Sequence, residues 1–309
     1  MGCPRLDGLI CSGDLATYCT AGEYAAAVAF LTRFKDEFSL APERIVLVPG
    51  NHDLSWEFAQ AAYDRGDQTI YDRADATERR RWIVEGTQYQ VRDEGRYGQR
   101  FHHFSSLCCE LITGERYPVD YPDQFAFHHW PDLGVLVLSL NSAWEIDHYH
   151  NNRAGIHPGA VSRALNVLRT RADWTGCLKI AVWHHPLASD EPSRITDHGF
   201  LERLAQAGFQ LGLHGHIHKA EASQYSYDKH PAGRRLDIIA AGTFGAPSRQ
   251  WAPGYPLQYN LLRLSGQQPD KSLTVETRRR EQVNGAWKPD ARWLQGPGQD
   301  PLSRYFIEL

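Results

Sequence analysis

The sequence predicts an α/β fold with parallel strands buried on both faces, on three observations. Short apolar runs recur without the alternation of a half-exposed strand, at Leu9-Ile10-Cys11, Ile45-Val46-Leu47-Val48, Ile180-Ala181-Val182-Trp183 and Leu211-Gly212-Leu213. A segment with helical spacing separates the first two, which makes a strand, helix, strand unit whose right-handed crossover pairs the strands in parallel. Each run then gives way to a short polar motif beside glycine or proline, so functional groups gather where buried strands end.

Taken in order, Leu9 to Ser12 is the first strand, and Glu23 to Phe38 carries Tyr24, Ala27, Val28, Leu31, Phe34 and Phe38 at helical spacing. A turn at Ala41-Pro42 leads to the second strand, Ile45 to Val48. From Trp56 to Pro122 the periodicity fades, with helical hints only around Trp56 to Tyr63 and Thr77 to Val84; this stretch reads as a cap inserted over the strand ends. Strands resume at Phe125 to Phe127 and Val135 to Leu140. Pro158 opens a helix to about Arg171, since a first turn needs no amide hydrogen there. Leu178 to Trp183 is a strand, Phe200 to Ala207 a helix and Gln210 to Leu213 a strand. Ser223 to Tyr227, Leu236 to Ala241, Tyr259 to Leu264 and Ser272 to Thr277 read as antiparallel strands joined by polar turns. Asn284 to Pro301, rich in Gly, Pro, Gln and Asp, reads as an irregular tail or the start of a linker. The expected organisation is one domain over residues 1–265, with 56–122 as its cap, followed by a final strand and tail over 266–309.

At 309 residues and 42% hydrophobic content the chain can fill a substantial core. A net charge of -4 with acids and bases interspersed leaves no global footprint for nucleic acid or an anionic membrane. The six cysteines (Cys3, Cys11, Cys19, Cys108, Cys109, Cys177) contain no Cys-x-x-Cys spacing and read as reduced thiols. No stretch approaches the roughly 18 to 20 apolar residues of a membrane span. Met1-Gly2-Cys3-Pro4-Arg5 begins no signal-peptide core, so a cytoplasmic location is expected.

Four motifs follow the apolar runs in a fixed order: Gly13-Asp14, Gly50-Asn51-His52-Asp53, His184-His185-Pro186 and Gly215-His216-Ile217-His218. Alone, each has an ordinary reading as a turn or a packed histidine. Together they supply a carboxylate that can bridge cations, a neutral amide oxygen and several imidazoles, which is the donor set of a metal site. His216 and His218, one residue apart, point to the same side if the segment is extended.

This order and spacing resemble the calcineurin-like metallophosphoesterase family over about residues 7 to 245. The resemblance implies a four-layer α/β/β/α sandwich with two mixed β-sheets and a metal-dependent hydrolase of phosphate monoesters or diesters. It implies that Asp14 bridges two divalent metals, that Asn51, His184 and His216 complete the shell of the second, and that His218 serves the first. His52 is expected to face the substrate, and Asp53 to orient His52 by a hydrogen bond. The mechanism implied is in-line attack by a metal-bound hydroxide between cations roughly 3.5 to 4 Å apart. Mixed N and O donors without thiolate suit Mn, Fe, Zn or Co.

The family's first strand ordinarily ends in Asp-x-His, which supplies two ligands to the first metal, and only twelve residues precede Gly13. Asp7 does not substitute, since seven residues of strand put it about 23 Å from Asp14. The only literal Asp-x-His, Asp228-Lys229-His230, reads as a hairpin tip. The expectation is therefore a fold lacking its first strand, with the second metal site complete and the first incomplete. A truncated or mis-started reading frame explains this more simply than an evolved single-metal enzyme. The alternative function is a catalytically impaired binding or scaffold module of the same fold.

Asn141, at the end of the Val135 to Leu140 strand, and Arg153, in the following loop, are candidate substrate contacts. His185 and His214 adjoin expected ligands, His102-His103 and His128-His129 flank the cap, and Arg79-Arg80-Arg81 reads as a solvated face. The expected substrate is a phosphorylated small molecule or nucleotide. Nucleic acid is disfavoured for want of a basic groove, and the tail leaves room for a fusion or partner protein.

Overall fold

Two β-layers face each other across an apolar seam, and helices cover both outer faces. The computed structural model describes residues 5–189, 193–226, 234–247, 254–266, 271–282 and 284–309. Cys3, Tyr227 and the Asp228-Lys229-His230 tripeptide lie outside the described residues.

Strands β1 (Leu9–Cys11) and β2 (Ile45–Leu47) pair in parallel, Leu9 against Ile45, with α1 (Ala21–Glu37) as their crossover. Thr20 starts α1: its side chain accepts from Glu23 N while Glu23 returns a bond to the Thr20 amide, which satisfies two otherwise orphaned donors. The cap then contributes α2 (Trp56–Ala61), β3 (Tyr63–Arg65), α3 (Gln68–Arg73), α4 (Ala76–Arg79), β4 (Trp82–Glu85), β5 (Gln88–Arg92) and α5 (Glu94–Gly98). A π-helical segment, His103–Cys109, runs into α6 (Glu110–Thr113). The helix expected over Thr77 to Val84 stops at Arg79. Trp82-Ile83-Val84, aromatic and β-branched, instead pairs with β5 around Gly86 at φ +60, so the cap holds its own three-stranded sheet.

The larger layer is a six-stranded mixed sheet in the order β10-β11-β9-β8-β7-β6. Its members are β6 (Phe125–Trp130), β7 (Val135–Leu140), β8 (Leu178–Val182), β9 (Phe209–His214), β10 (Glu221–Ser226) and β11 (Arg235–Ala240). Its parallel centre, β7-β8-β9-β11, carries α7 (Pro158–Thr170) and α8 (Gly199–Gln206) on one face. The second layer holds the β1-β2 pair and an antiparallel group of β12 (Leu257–Ser265), β13 (Ser272–Arg280), β14 (Lys288–Pro289) and β15 (Arg304–Glu308).

Val137, Ile180, Val182, Leu211 and Leu213 of the large sheet meet Val46, Val48, Leu273, Val275 and Ile307 of the second layer in the seam. Beyond the second layer, α1 and the 103–113 helical stretch pack Tyr24, Leu31, Phe104 and Ile112 on Ile45 and Leu47. The four layers are thus α/β/β/α, as expected. The second layer departs from a single mixed sheet: among the described residues β1 pairs only with β2, and Leu9, Ile10 and Cys11 stay half-buried. The tail also differs. Arg304–Glu308 returns as a strand against Ser272–Glu276 and buries Ile307 in the seam, a five-residue signal masked by the Gly- and Pro-rich stretch before it. Among the described residues no helix is long and apolar enough to cross a membrane, and the five described cysteines are free.

Candidate metal centre

The ends of β1, β2, β8 and β9 meet at one point. After β1, Gly13 takes φ +106 and Asp14 φ +59, a left-handed turn that a residue with a Cβ adopts only when its surroundings hold it there. Asp53 does the holding. Its fully buried carboxylate accepts from the backbone amides of Asp14 (2.8 Å), Leu15 (3.1 Å), Ala16 (3.2 Å) and Gly50 (2.9 Å), and from the Tyr24 hydroxyl (2.9 Å). The His52 ring, expected to be the partner of Asp53, instead donates Nδ1–H to Thr17 O at 2.8 Å. The His52 amide donates to Asp14 Oδ1 at 3.0 Å. Asp53 therefore clamps the two loops that carry Asp14 and Asn51, and a backbone carbonyl orients His52.

Four donor atoms converge. His184 Nε2 lies 3.1 Å from Asp14 Oδ2, 3.1 Å from Asn51 Oδ1 and 3.2 Å from His216 Nδ1, and Asn51 Oδ1 lies 3.0 Å from His216 Nδ1. The second nitrogen of each of these rings is engaged elsewhere: His184 Nδ1–H donates to Ser12 O at 2.7 Å, and His216 Nε2 faces Ser193 Oγ at 2.8 Å. With its proton on Nδ1, neutral His184 turns a lone pair towards the carboxylate and the amide oxygen. Lone pairs packed so closely repel unless a cation or proton sits among them. Donors bonded at ~2.0–2.2 Å to one cation stand roughly 2.9–3.5 Å apart, and these four meet that spacing. The residues fit a divalent metal, and the rings carry the outer hydrogen bonds that orient metal-binding imidazoles.

The electrostatics agree. Burial pushes the Asp14 carboxyl up, but His184 and His52 beside it hold it well below the usual carboxylate range. Burial disfavours charge on His184, and Asp14 overrides this so that the imidazolium is favoured above its ordinary range. His216, buried and beside His184, is pushed down to about 3.

His185 adjoins the cage: with His184 and His216 it forms a cluster whose ligand atoms lie within 4.8 Å of one another. Ser142 Oγ accepts from the amides of His184 (3.1 Å) and His185 (3.0 Å) and donates to His185 Nδ1 (2.8 Å), leaving Nε2–H buried without a partner among the described residues. His216 and His218 are not in an extended segment: both take left-handed φ (+70 and +53) in the turn after β9, so strand alternation does not apply to them. His218 lies close enough that its charge disfavours a second one on His216.

Asn141 and Arg153, the candidate substrate contacts, both bond within the protein. Asn141 is buried, donating to Gln124 Oε1 at 2.8 Å and accepting from the Ala143 amide at 2.7 Å. Arg153 donates to Arg80 O at 2.9 Å and faces the buried Glu145, which also pairs with Arg80. Asp7 pairs with Arg5 at 3.0 Å. The reading from sequence missed Ser12, Thr17, Tyr24, Ser142 and Ser193. Ser12 and Thr17 act through carbonyl oxygens, which any residue supplies. Ser142 alone had a signal, as a small hydroxyl residue just past the end of β7.

A comparison with curated proteins returned no match. The family model described as calcineurin-like phosphoesterase matches residues 3–220, which include all four converging donors. By that match and the cage it encloses, the chain belongs to the calcineurin-like phosphoesterase family.

Proposed function

We propose that the protein hydrolyses phosphate esters of a small molecule or nucleotide with a divalent metal held by Asp14, Asn51, His184 and His216. The observation that carries this reading is the convergence of four lone-pair donors at 3.0–3.2 Å spacing. A metal bound there supplies charge neutralisation of the phosphoryl oxygens and a water of lowered pKa. The remaining work belongs to the chain. Asp53 keeps the Asp14 and Asn51 loops in register through its bonds to both. Thr17 O holds His52 Nδ1–H, so exchange of a proton with the phosphoryl or leaving oxygen falls to His52 Nε2. Asp14 Oδ1 is engaged by the His52 amide, and that bond ties the ring to the metal-binding carboxylate.

A scaffold reading has one observation in its favour: among the described residues the converging donors of Asp14, Asn51, His184 and His216 form one cage. Two measurements separate the readings. The first is metal content after loading with Mn. The second is hydrolysis of p-nitrophenyl phosphate and bis(p-nitrophenyl) phosphate by the wild type and by His52→Ala. Turnover that His52→Ala lowers about 100-fold or more supports the hydrolase. Stoichiometric metal without turnover of either substrate refutes it in favour of the scaffold.

A further inference from the structure

We propose a second small-molecule site, for a ligand bearing a diphosphate-type group, between the C-terminal ends of α7 and α8. It does not depend on the metal centre, which lies at the other end of β8, some 16 Å along the strand. A cavity of about 490 Å³ opens there, within the ~300–1,000 Å³ usual for small-molecule sites. Arg169, Arg171, Lys179 and Arg203 line it, with no Asp or Glu in the lining. Lys179 alternates along β8 with Ala181 and Trp183, which pack on the α7–α8 face, so its side chain rises between the two helices.

The commitments of these cations are unequal. Arg171 is matched by Asp173 through bonds of 2.9 and 2.8 Å. Arg169 donates only to the neutral Asn166 Oδ1 at 3.0 Å, and Arg203 to the neutral Ser162 Oγ at 3.0 Å. Among the described residues the Lys179 ammonium has no hydrogen-bond or ion-pair partner. Three positive charges therefore share one cavity without a carboxylate. The two helix C-termini offer about half a negative charge each, too little to match them. Trp174 forms part of the same wall, its ring carrying the Arg171 guanidinium 4.3 Å from the centroid. A ligand with roughly three negative charges supplies acceptors for the ammonium and the guanidiniums together. Leu165 and Leu168 add an apolar wall beside them.

The test is calorimetric titration of the whole Mn-loaded protein with methylenediphosphonate and with adenosine methylenediphosphonate, whose carbon bridges resist hydrolysis. The wild type is expected to bind, with affinity falling as NaCl is raised. Lys179→Ala/Arg203→Ala is expected to lose that binding or weaken it by about tenfold or more, with Mn binding unchanged. Tighter binding of the adenosine compound identifies a nucleotide ligand, and equal binding identifies the diphosphate group alone. Identical titrations of wild type and double variant, or no wild-type binding at millimolar ligand, overturn the proposal. If circular dichroism shows the double variant unfolded, the exposed Arg169→Ala decides in the same way: weaker binding supports the site and unchanged binding overturns it.

Discussion

Replacing Gly50 by alanine tests the cage without removing a donor. The backbone at Gly50 is ordinary for any residue, with φ -100 and ψ -174, so alanine meets no torsional penalty. The obstacle is steric. A Cβ there would lie 2.6 Å from Asp14 N and 2.8 Å from Asp14 Cγ, and closer still to Oδ1. Ordinary contact needs about 3.5 Å, so the Asp14 turn must retreat by roughly 1 Å. It has no easy retreat, because Asp53 bonds the amides of Gly50 and Asp14 at once and couples the two loops. Overpacking of this kind costs about 1–3 kcal/mol of stability. A ~1 Å displacement of a positioned group costs about 100-fold in function. Calorimetric Mn titration of Gly50→Ala should show affinity lower by about that factor, beside a melting curve that remains cooperative. Gly22→Ala is the control: the site lies in α1 with nothing within 4 Å of the added carbon, and it should stabilise by about 0.5–1 kcal/mol. Wild-type Mn affinity in Gly50→Ala would refute the claim that close contact between these loops sets the cage.

Three further outcomes are expected. Ser142→Ala leaves the amides of His184 and His185 and the His185 Nδ1 without their shared hydroxyl, at a cost of about 2–4 kcal/mol by chemical denaturation; a loss under 1 kcal/mol would mean another group serves them. Trp183→Ala removes a fully buried indole that donates to His185 O at 2.9 Å and stacks on His214, and should cost about 3–5 kcal/mol, while unchanged stability would contradict its place in the core. The third concerns pH. In chelated protein the His184 pKa is raised, so its pairing with Asp14 stabilises fully below the ordinary 6.5 and is lost as pH rises through the folded value. A metal needs the same nitrogen deprotonated, so over that window Mn affinity should rise as the chelated protein's melting temperature falls. Parallel melting curves with and without chelator would refute the competition.

The strands were legible because burial on both faces writes itself as consecutive apolar residues: β7 matches its predicted bounds, and β2 and β8 end one residue early. The π-helical segment His103–Cys109 and the hairpin β4–β5 were not legible, since aromatic contacts such as Tyr71 on Trp82 and Tyr89 shape the cap without local periodicity. Within the site, the identity of the donors was readable from motif order. Their outer partners were not, because Ser12, Thr17 and Asp53 reach them across 172, 35 and 39 positions of chain.

The chain by itself determined the layered α/β class and the residues able to bind a metal, because apolar runs and donor atoms are local properties of short segments. Tertiary structure alone decided which atoms of Asp14, Asn51, His184 and His216 meet, that Asp53 clamps loops where a histidine partner was expected, and that Arg304–Glu308 closes the second layer. Those are distances between segments far apart in the chain, fixed only when the sheets pack and the strand ends converge.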